Sequence, residues 1–319
     1  MKRLHTILLG AGLMMMLSGC ASTGGWYHLP TLEFDQVDYG YEVRHARVDG
    51  MDIAYLDEGR GDQVLLLIHG LGTNAKGWQR NLPALSAKYR VIALDLPGYG
   101  RSSKGPYDYS MAFHARTAAG LLAALDIDRA VWVGHSMGGQ IALTAALEMP
   151  DRVAGLALLS TAGFEGFTEG EGDWMKSAVT PKFVKDSTIR QIAASVHSNF
   201  HATPPEADFF ITDRIQVRGA KGFDDYTYAV WRNVAAMLDG PTHERLGAIK
   251  APTLIIYGEN DGLIPNPYLH GGFTRDVAVS GQQAIAGSEL VLLPSTGHMV
   301  MFERPEAVNE AILAFVGKL

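Results

Sequence analysis

Residues 130–149 read AVWVGHSMGGQIALTAALEM. The first five are an apolar, β-branched and aromatic run of the length a buried strand takes, and residues 137–149 follow with the composition of a packed helix. Between them stands Gly134-His135-Ser136-Met137-Gly138, a G-x-S-x-G. With 36 glycines in 319 residues, such a pattern arises by chance often enough to mean little alone. Its place gives it meaning. A strand that turns at once into a helix bends the chain sharply, so side chains at positions 134 and 138 would collide. The turn also lifts the Ser136 hydroxyl clear of the sheet edge.

Outward from this stretch the chain keeps alternating. Strands are expected at residues 43–48 and 51–56, as a hairpin around Asp49-Gly50. Others are expected at 64–68, 89–95, 130–134, 153–160, 253–257 and 290–293, with helices at 110–125, 137–149 and 305–319. Ser110 is placed as an N-cap and Pro305 in a first turn. Strands alternating with helices imply an α/β fold with a mostly parallel, doubly wound sheet. One segment breaks the rhythm. Residues 163–247 hold helical patches and many aromatics (Phe164, Phe167, Trp174, Phe183, Phe200, Phe209, Phe210, Tyr226, Tyr228 and Trp231) but no buried strand. This segment reads as a helical insertion over the carboxyl edge of the sheet, where open α/β sheets bind ligands. Most of its aromatics are expected to be packing, and a few to line a pocket.

Composition excludes several classes. Hydrophobic residues make up 47% and charged residues 19%, so the chain is globular and long enough for a self-sufficient core. A net charge of −7 without a long Lys/Arg run argues against nucleic-acid binding, which needs a positive face against phosphates. One cysteine rules out an intrachain disulfide framework and any multi-cysteine metal site. No ligand cluster of sensible spacing appears, and His197 and His201 are expected on the surface, so neither metal nor cofactor is expected.

A serine hydroxyl needs a base, and the base needs an acid to fix its tautomer. His298, in Ser295-Thr296-Gly297-His298, follows the last expected strand. Asp261, in Gly258-Glu259-Asn260-Asp261, follows the strand at 253–257. Ser136, Asp261 and His298 therefore fall on loops at one sheet edge and form the candidate catalytic set, with Asp239 a minor alternative for the acid. For an oxyanion the donors would be the N–H groups of Met137, at a helix start, and Leu71, in His69-Gly70-Leu71-Gly72 after the strand at 64–68. His69 is read as shaping that loop.

With Asp95-Leu96-Pro97-Gly98-Tyr99-Gly100-Arg101-Ser102 added, five motifs in order make the chain from about residue 43 to its end resemble the α/β-hydrolase superfamily. The segment at 163–247 matches that family in position only. The resemblance implies a core of residues 43–162 and 248–319 with a helical cap between, and gives Asp95 and Gly98 structural roles. It is most similar to bacterial serine lipases and carboxylesterases with a helical cap, which implies cleavage of carboxylic esters through an acyl-enzyme, the substrate a small acyl ester or a lipid. Hydrolases that cut carbon–carbon bonds share the serine. They commonly carry a tryptophan after the histidine and an arginine before the acid region, where this chain has Met299 and Glu259. Amide hydrolases and cofactor-free haloperoxidases use the same triad, and a non-enzymatic binding lipoprotein is the remaining alternative.

The N-terminus is separate. Lys2 and Arg3 precede an apolar stretch at residues 7–17, too short to span a bilayer as a helix and flanked like a signal peptide. Leu17-Ser18-Gly19-Cys20 resembles the lipobox of bacterial lipoproteins, which implies removal of residues 1–19, lipidation of Cys20 and a membrane tether. Residues 20–42 read as that tether, with Trp26 and Tyr27 placed either on the membrane or on the domain. Ala21, rather than Asp, after the cysteine implies the outer membrane of a bacterial envelope.

Overall fold

The computed structural model describes residues 23–319, so Cys20 and the signal-like stretch lie outside the described residues. Eight strands form one sheet: β1 (Arg44–Val48), β2 (Met51–Glu58), β3 (Val64–Ile68), β4 (Arg90–Leu94), β5 (Ala130–His135), β6 (Val153–Leu159), β7 (Thr253–Gly258) and β8 (Glu289–Leu293). Their order is β1-β2-β4-β3-β5-β6-β7-β8. The pairings of β2 with β1 and with β4 are antiparallel, so β2 alone runs against the rest; the pairings from β4 through β8 are parallel. This is the α/β-hydrolase fold.

The strands form for the reason their sequence suggests. All five residues of β3 (VLLLI) and all six of β5 (AVWVGH) are buried, as both faces of a parallel sheet are covered by helices. The β1–β2 hairpin turns on Asp49 (φ +48°) and Gly50 (φ +81°), a left-handed pair that matches the twist of the strands it joins.

The helices in chain order are α1 (Leu82–Ser86), α2 (Met111–Ala124), α3 (Met137–Glu148), α4 (Glu169–Ala178), α5 (Pro181–Asp186), α6 (Ile189–His197), α7 (Phe209–Gln216), α8 (Phe223–Asp239), α9 (Thr274–Ala284), α10 (Val300–Glu303) and α11 (Pro305–Val316). Ser110 caps α2, its Oγ accepting from Phe113 N–H at 3.1 Å. Five helices, α4 to α8, lie between β6 and β7. The composition of 274–284 (TRDVAVSGQQA) hid α9 from sequence reading, because glycine and polar residues dominate it. Its Gly281 is buried against the Phe164 ring, where a Cβ would come within 2.2 Å.

Part of the expected tether is not free chain. Leu32 N–H donates to Gln216 O at 3.0 Å, and Lys221 N–H donates to Glu33 at 3.0 Å. Val37 and Tyr39 are buried, and Tyr39 OH donates to Asp95 at 2.9 Å. Residues from Leu32 onward therefore run along α7 and the start of α8 before entering the core. Trp26 is packed in part against the domain and Tyr27 is exposed.

Candidate active site

Four strand ends converge. The carboxyl ends of β3, β5, β7 and β8 deliver the loops with Leu71, Ser136, Asp261 and His298. Ser136 sits between β5 and α3 at φ +53°, ψ −120°, a conformation that L-residues rarely occupy. Backbone bonds hold it there. Ser136 N–H donates to Leu159 O at 3.0 Å, and Ser136 O accepts from Gly139 and Ala162. The glycine at 138 is required by contact: a Cβ there would lie 2.2 Å from Ile68 O. Ser136 Oγ makes no hydrogen bond to a protein atom among the described residues, so its hydroxyl is free to turn.

His298 and Asp261 meet directly. His298 Nδ1–H donates to Asp261 Oδ2 at 2.7 Å, and both side chains are almost wholly buried. The other carboxylate oxygen accepts from Leu263 N–H at 2.8 Å and Ile264 N–H at 3.1 Å. Three donors thus fix the carboxylate, the carboxylate fixes the imidazole, and Nε2 is left as the acceptor nitrogen. Gly258 lets the two loops close up, since a Cβ there would lie 2.3 Å from the carbonyls of Thr296 and Gly297. Asp239 lies elsewhere, at the end of α8, with Lys176 Nζ at 2.6 Å.

The N–H groups of Leu71 and Met137 have no protein acceptor among the described residues. That is the condition of donors kept open for a ligand oxygen. His69 holds the first of these loops. Its Nδ1–H donates to Gly70 O at 2.8 Å and its Nε2 accepts from Leu96 N–H at 3.0 Å. Burial pushes its pKa down, so it is a neutral bracket between the loops after β3 and β4. Asp95 braces the same region, accepting from Ala75 N–H, Arg101 N–H and Tyr39 OH.

Two residues escaped sequence reading. His135, the variable position of the motif, donates from Nε2 to His298 O at 3.1 Å, and the two rings are 4.8 Å apart. Its Nδ1 is buried without a partner, and burial, with the neighbouring His298, drives its pKa well below the usual histidine value. Glu303, on α10, accepts from Gly297 N–H at 2.8 Å and from His201 and Ala202 N–H at 3.2 and 2.8 Å. It joins the His298 loop to the segment after α6. The pattern of a strand end followed by a helix could flag neither, because His135 reaches the His298 carbonyl, and Glu303 reaches His201 and Ala202, across more than a hundred residues of sequence.

Ser136, His298 and Leu71 all border one cavity of about 710 Å³, roofed by the helices between β6 and β7. Of the aromatics in that layer, Phe167, Trp174, Phe200 and Phe210 reach its wall; others, such as Phe164 and Tyr226, are packing. Arg214, from α7, is the single lysine or arginine on the wall. It has no ion pair or hydrogen bond among the described residues, its neighbour Asp213 being taken by Lys76 at 2.7 Å. Glu259, by contrast, pairs with Arg275 at 2.6 Å. His197 and His201 are exposed, and no group of three or more potential metal ligands occurs among the described residues.

The chain is similar to known proteins. The family profile described as alpha/beta hydrolase fold matches residues 63–305. The chain is 32% identical over 283 residues to the dihydrolipoyllysine-residue acetyltransferase component of the acetoin cleaving system of Pseudomonas putida, covering 88% of this chain and 70% of that protein. It is 30% identical over 276 residues to the 2-hydroxy-6-oxononadienedioate/2-hydroxy-6-oxononatrienedioate hydrolase of Escherichia coli K12, covering 83% and 91%. Among solved structures, a probable hydrolytic enzyme of Pseudomonas aeruginosa PAO1 superposes with a TM-score of 0.80 at 26% identity, covering 90% of this chain and 99% of that one. A protein described as a membrane phospholipase A and bacterial virulence factor superposes at 0.70 with 28% identity, covering 88% and 87%.

Proposed function

The chain belongs to the alpha/beta hydrolase fold family and is a hydrolase of that fold, and we propose that it cleaves carboxylic esters by a serine mechanism, with lipid-like acyl esters as the substrate class. One observation carries the reading: the strained Ser136 opens onto the cavity that also receives the Asp261-bound His298. Ser136 Oγ attacks the ester carbonyl carbon while His298 Nε2 takes its proton. The carbonyl oxygen becomes the oxyanion held by Leu71 and Met137 N–H. As it collapses, the C–O bond to the alcohol breaks and His298 returns the proton to the leaving oxygen. Water, deprotonated by His298, then cleaves the acyl-enzyme, freeing the acid and restoring Ser136. Asp261 holds the imidazolium throughout.

The apolar character of the wall and the likeness to a membrane phospholipase A support an acyl chain. Under the same reading Cys20 carries the lipid anchor, on the outer membrane. The tests are direct. Ser136→Ala is expected to abolish hydrolysis of p-nitrophenyl butyrate and labelling by a fluorophosphonate with the fold intact; full turnover by that variant would end the proposal. Cys20→Ser is expected to abolish incorporation of radiolabelled palmitate.

A second reading, hydrolysis of a carbon–carbon bond, is favoured by Arg214. An unpaired guanidinium on an otherwise mostly apolar wall suits an anionic substrate, and the Escherichia coli relative acts on dicarboxylates by its name. Turnover of neutral esters against 2-hydroxy-6-oxo dienoates separates the two.

A further inference from the structure

Large apolar side chains are seldom left in water in clusters unless something covers them. Three line the cavity, Tyr268 at 83% exposed, Trp174 at 47% and Leu263 at 37%, and a fourth, Phe273, is 76% exposed on the loop that carries Leu263 and Tyr268. Trp174 and Tyr268 face each other at 6.3 Å between ring centroids, and both border the cavity together with Leu263. Phe273 stands further along the same loop after β7 and does not line the cavity. We propose that this rim docks on the surface of a lipid bilayer and opens the cavity onto it, an inference that rests on the lipid-ester reading above.

Three observations choose a bilayer over another occupant. The side chains are the types that lie at a membrane interface, apolar bodies with polar tips in Trp174 and Tyr268. The apolar stretch at 7–17 precedes the described residues, and among the latter the chain from Leu32 on runs along α7 and the start of α8, part of the helical layer that roofs the cavity. A tethered domain meets its membrane at high effective concentration, so four side chains suffice. Finally, the chain is acidic and no basic patch stands at this rim among the described residues, Lys176 being taken up by Asp173 and Asp239. Docking is therefore apolar, indifferent to salt and fully developed on zwitterionic lipid.

The experiment reconstitutes the full chain into phosphatidylcholine vesicles with brominated acyl chains. The difference in fluorescence between the parent and Trp174→Phe isolates Trp174. Its emission is expected to be quenched about twofold, unchanged between low and high salt. Phe273→Ser is expected to lessen that quenching and to slow turnover of a vesicle-embedded ester about fivefold, while a soluble acetate ester is cleaved at the parent rate. Unquenched Trp174 emission overturns the proposal, as does a concentration-dependent dimer that Phe273→Ser abolishes, which would give the rim to a second copy. The two readings fail separately: quenching without ester cleavage leaves docking standing and the ester reading fallen, and cleavage without quenching does the reverse.

Discussion

The His135 imidazole packs 4.8 Å from that of His298 and donates to its backbone carbonyl at 3.1 Å. The residue beside the candidate nucleophile thus holds the loop of the candidate base. Nothing else among the described residues donates to that carbonyl. His135→Phe keeps the ring but leaves a buried oxygen without its donor, which costs about 1–3 kcal/mol. We expect kcat to fall about tenfold with KM nearly unchanged, since the base is misplaced while the cavity wall keeps its shape. His135→Gln, which can restore the N–H, is expected to recover most of the loss. A uniform fall in folded protein with kcat intact would assign His135 to packing alone.

Ser136 stores backbone strain at the turn between β5 and α3. At φ +53° a Cβ is unfavourable, while glycine takes this conformation freely. Ser136→Gly is therefore expected to raise stability by about 1 kcal/mol while removing ester hydrolysis. Chemical denaturation of the two proteins checks this, and a destabilised glycine variant would show that the hydroxyl is held by bonds rather than by the turn.

How far the site was legible depends on range in sequence. β3, β5 and β6 announce themselves as unbroken apolar runs, and a serine, an aspartate and a histidine each just past a strand share an edge once the sheet is parallel. The hairpin at Asp49-Gly50 was as clear, because its residues tolerate positive φ. What stayed hidden is fixed by partners far along the chain. Tyr39 reads as tether until Asp95 is seen to accept its hydroxyl. Arg214 reads as one charge on an amphipathic helix until α7 is laid against the cavity. Helix α9 is polar in its own sequence and is held by Phe164 packing onto its glycine.

Buried imidazoles set the acid limit of the fold. Burial holds His69, His114 and His135 below the usual histidine pKa, His114 at about 4, with its Nε2–H given to Asn233 at 2.7 Å. Each is neutral when folded and takes a proton more readily when unfolded, near pH 6.5. Their contribution is complete above that pH and is lost as pH falls toward the folded pKa. For His114 alone the loss at pH 5 is about 2 kcal/mol. Thermal unfolding is expected to show Tm dropping steadily from pH 7 to pH 5, with a shallower slope in His114→Gln. An equal slope in both proteins would place the acid sensitivity elsewhere.

Glu303 ties two segments together. One carboxylate accepts from Gly297, next to His298, and from His201 and Ala202 at the end of the α6 segment. The approach is tight, since a Cβ on Gly297 would lie 2.5 Å from His201 N. Glu303→Gln keeps the shape but turns an NH₂ toward N–H groups that need an acceptor, at a cost of about 1–3 kcal/mol. Because the lost bonds hold the base loop against the roof of the cavity, kcat and KM should both worsen, unlike the His135 variants, where kcat alone moves. Glu303→Asp, shorter by one methylene, retains the charge and is expected to recover stability in part. Equal kinetics for Glu303→Gln and the parent would show that the His298 loop is held sufficiently by Asp261 and His135.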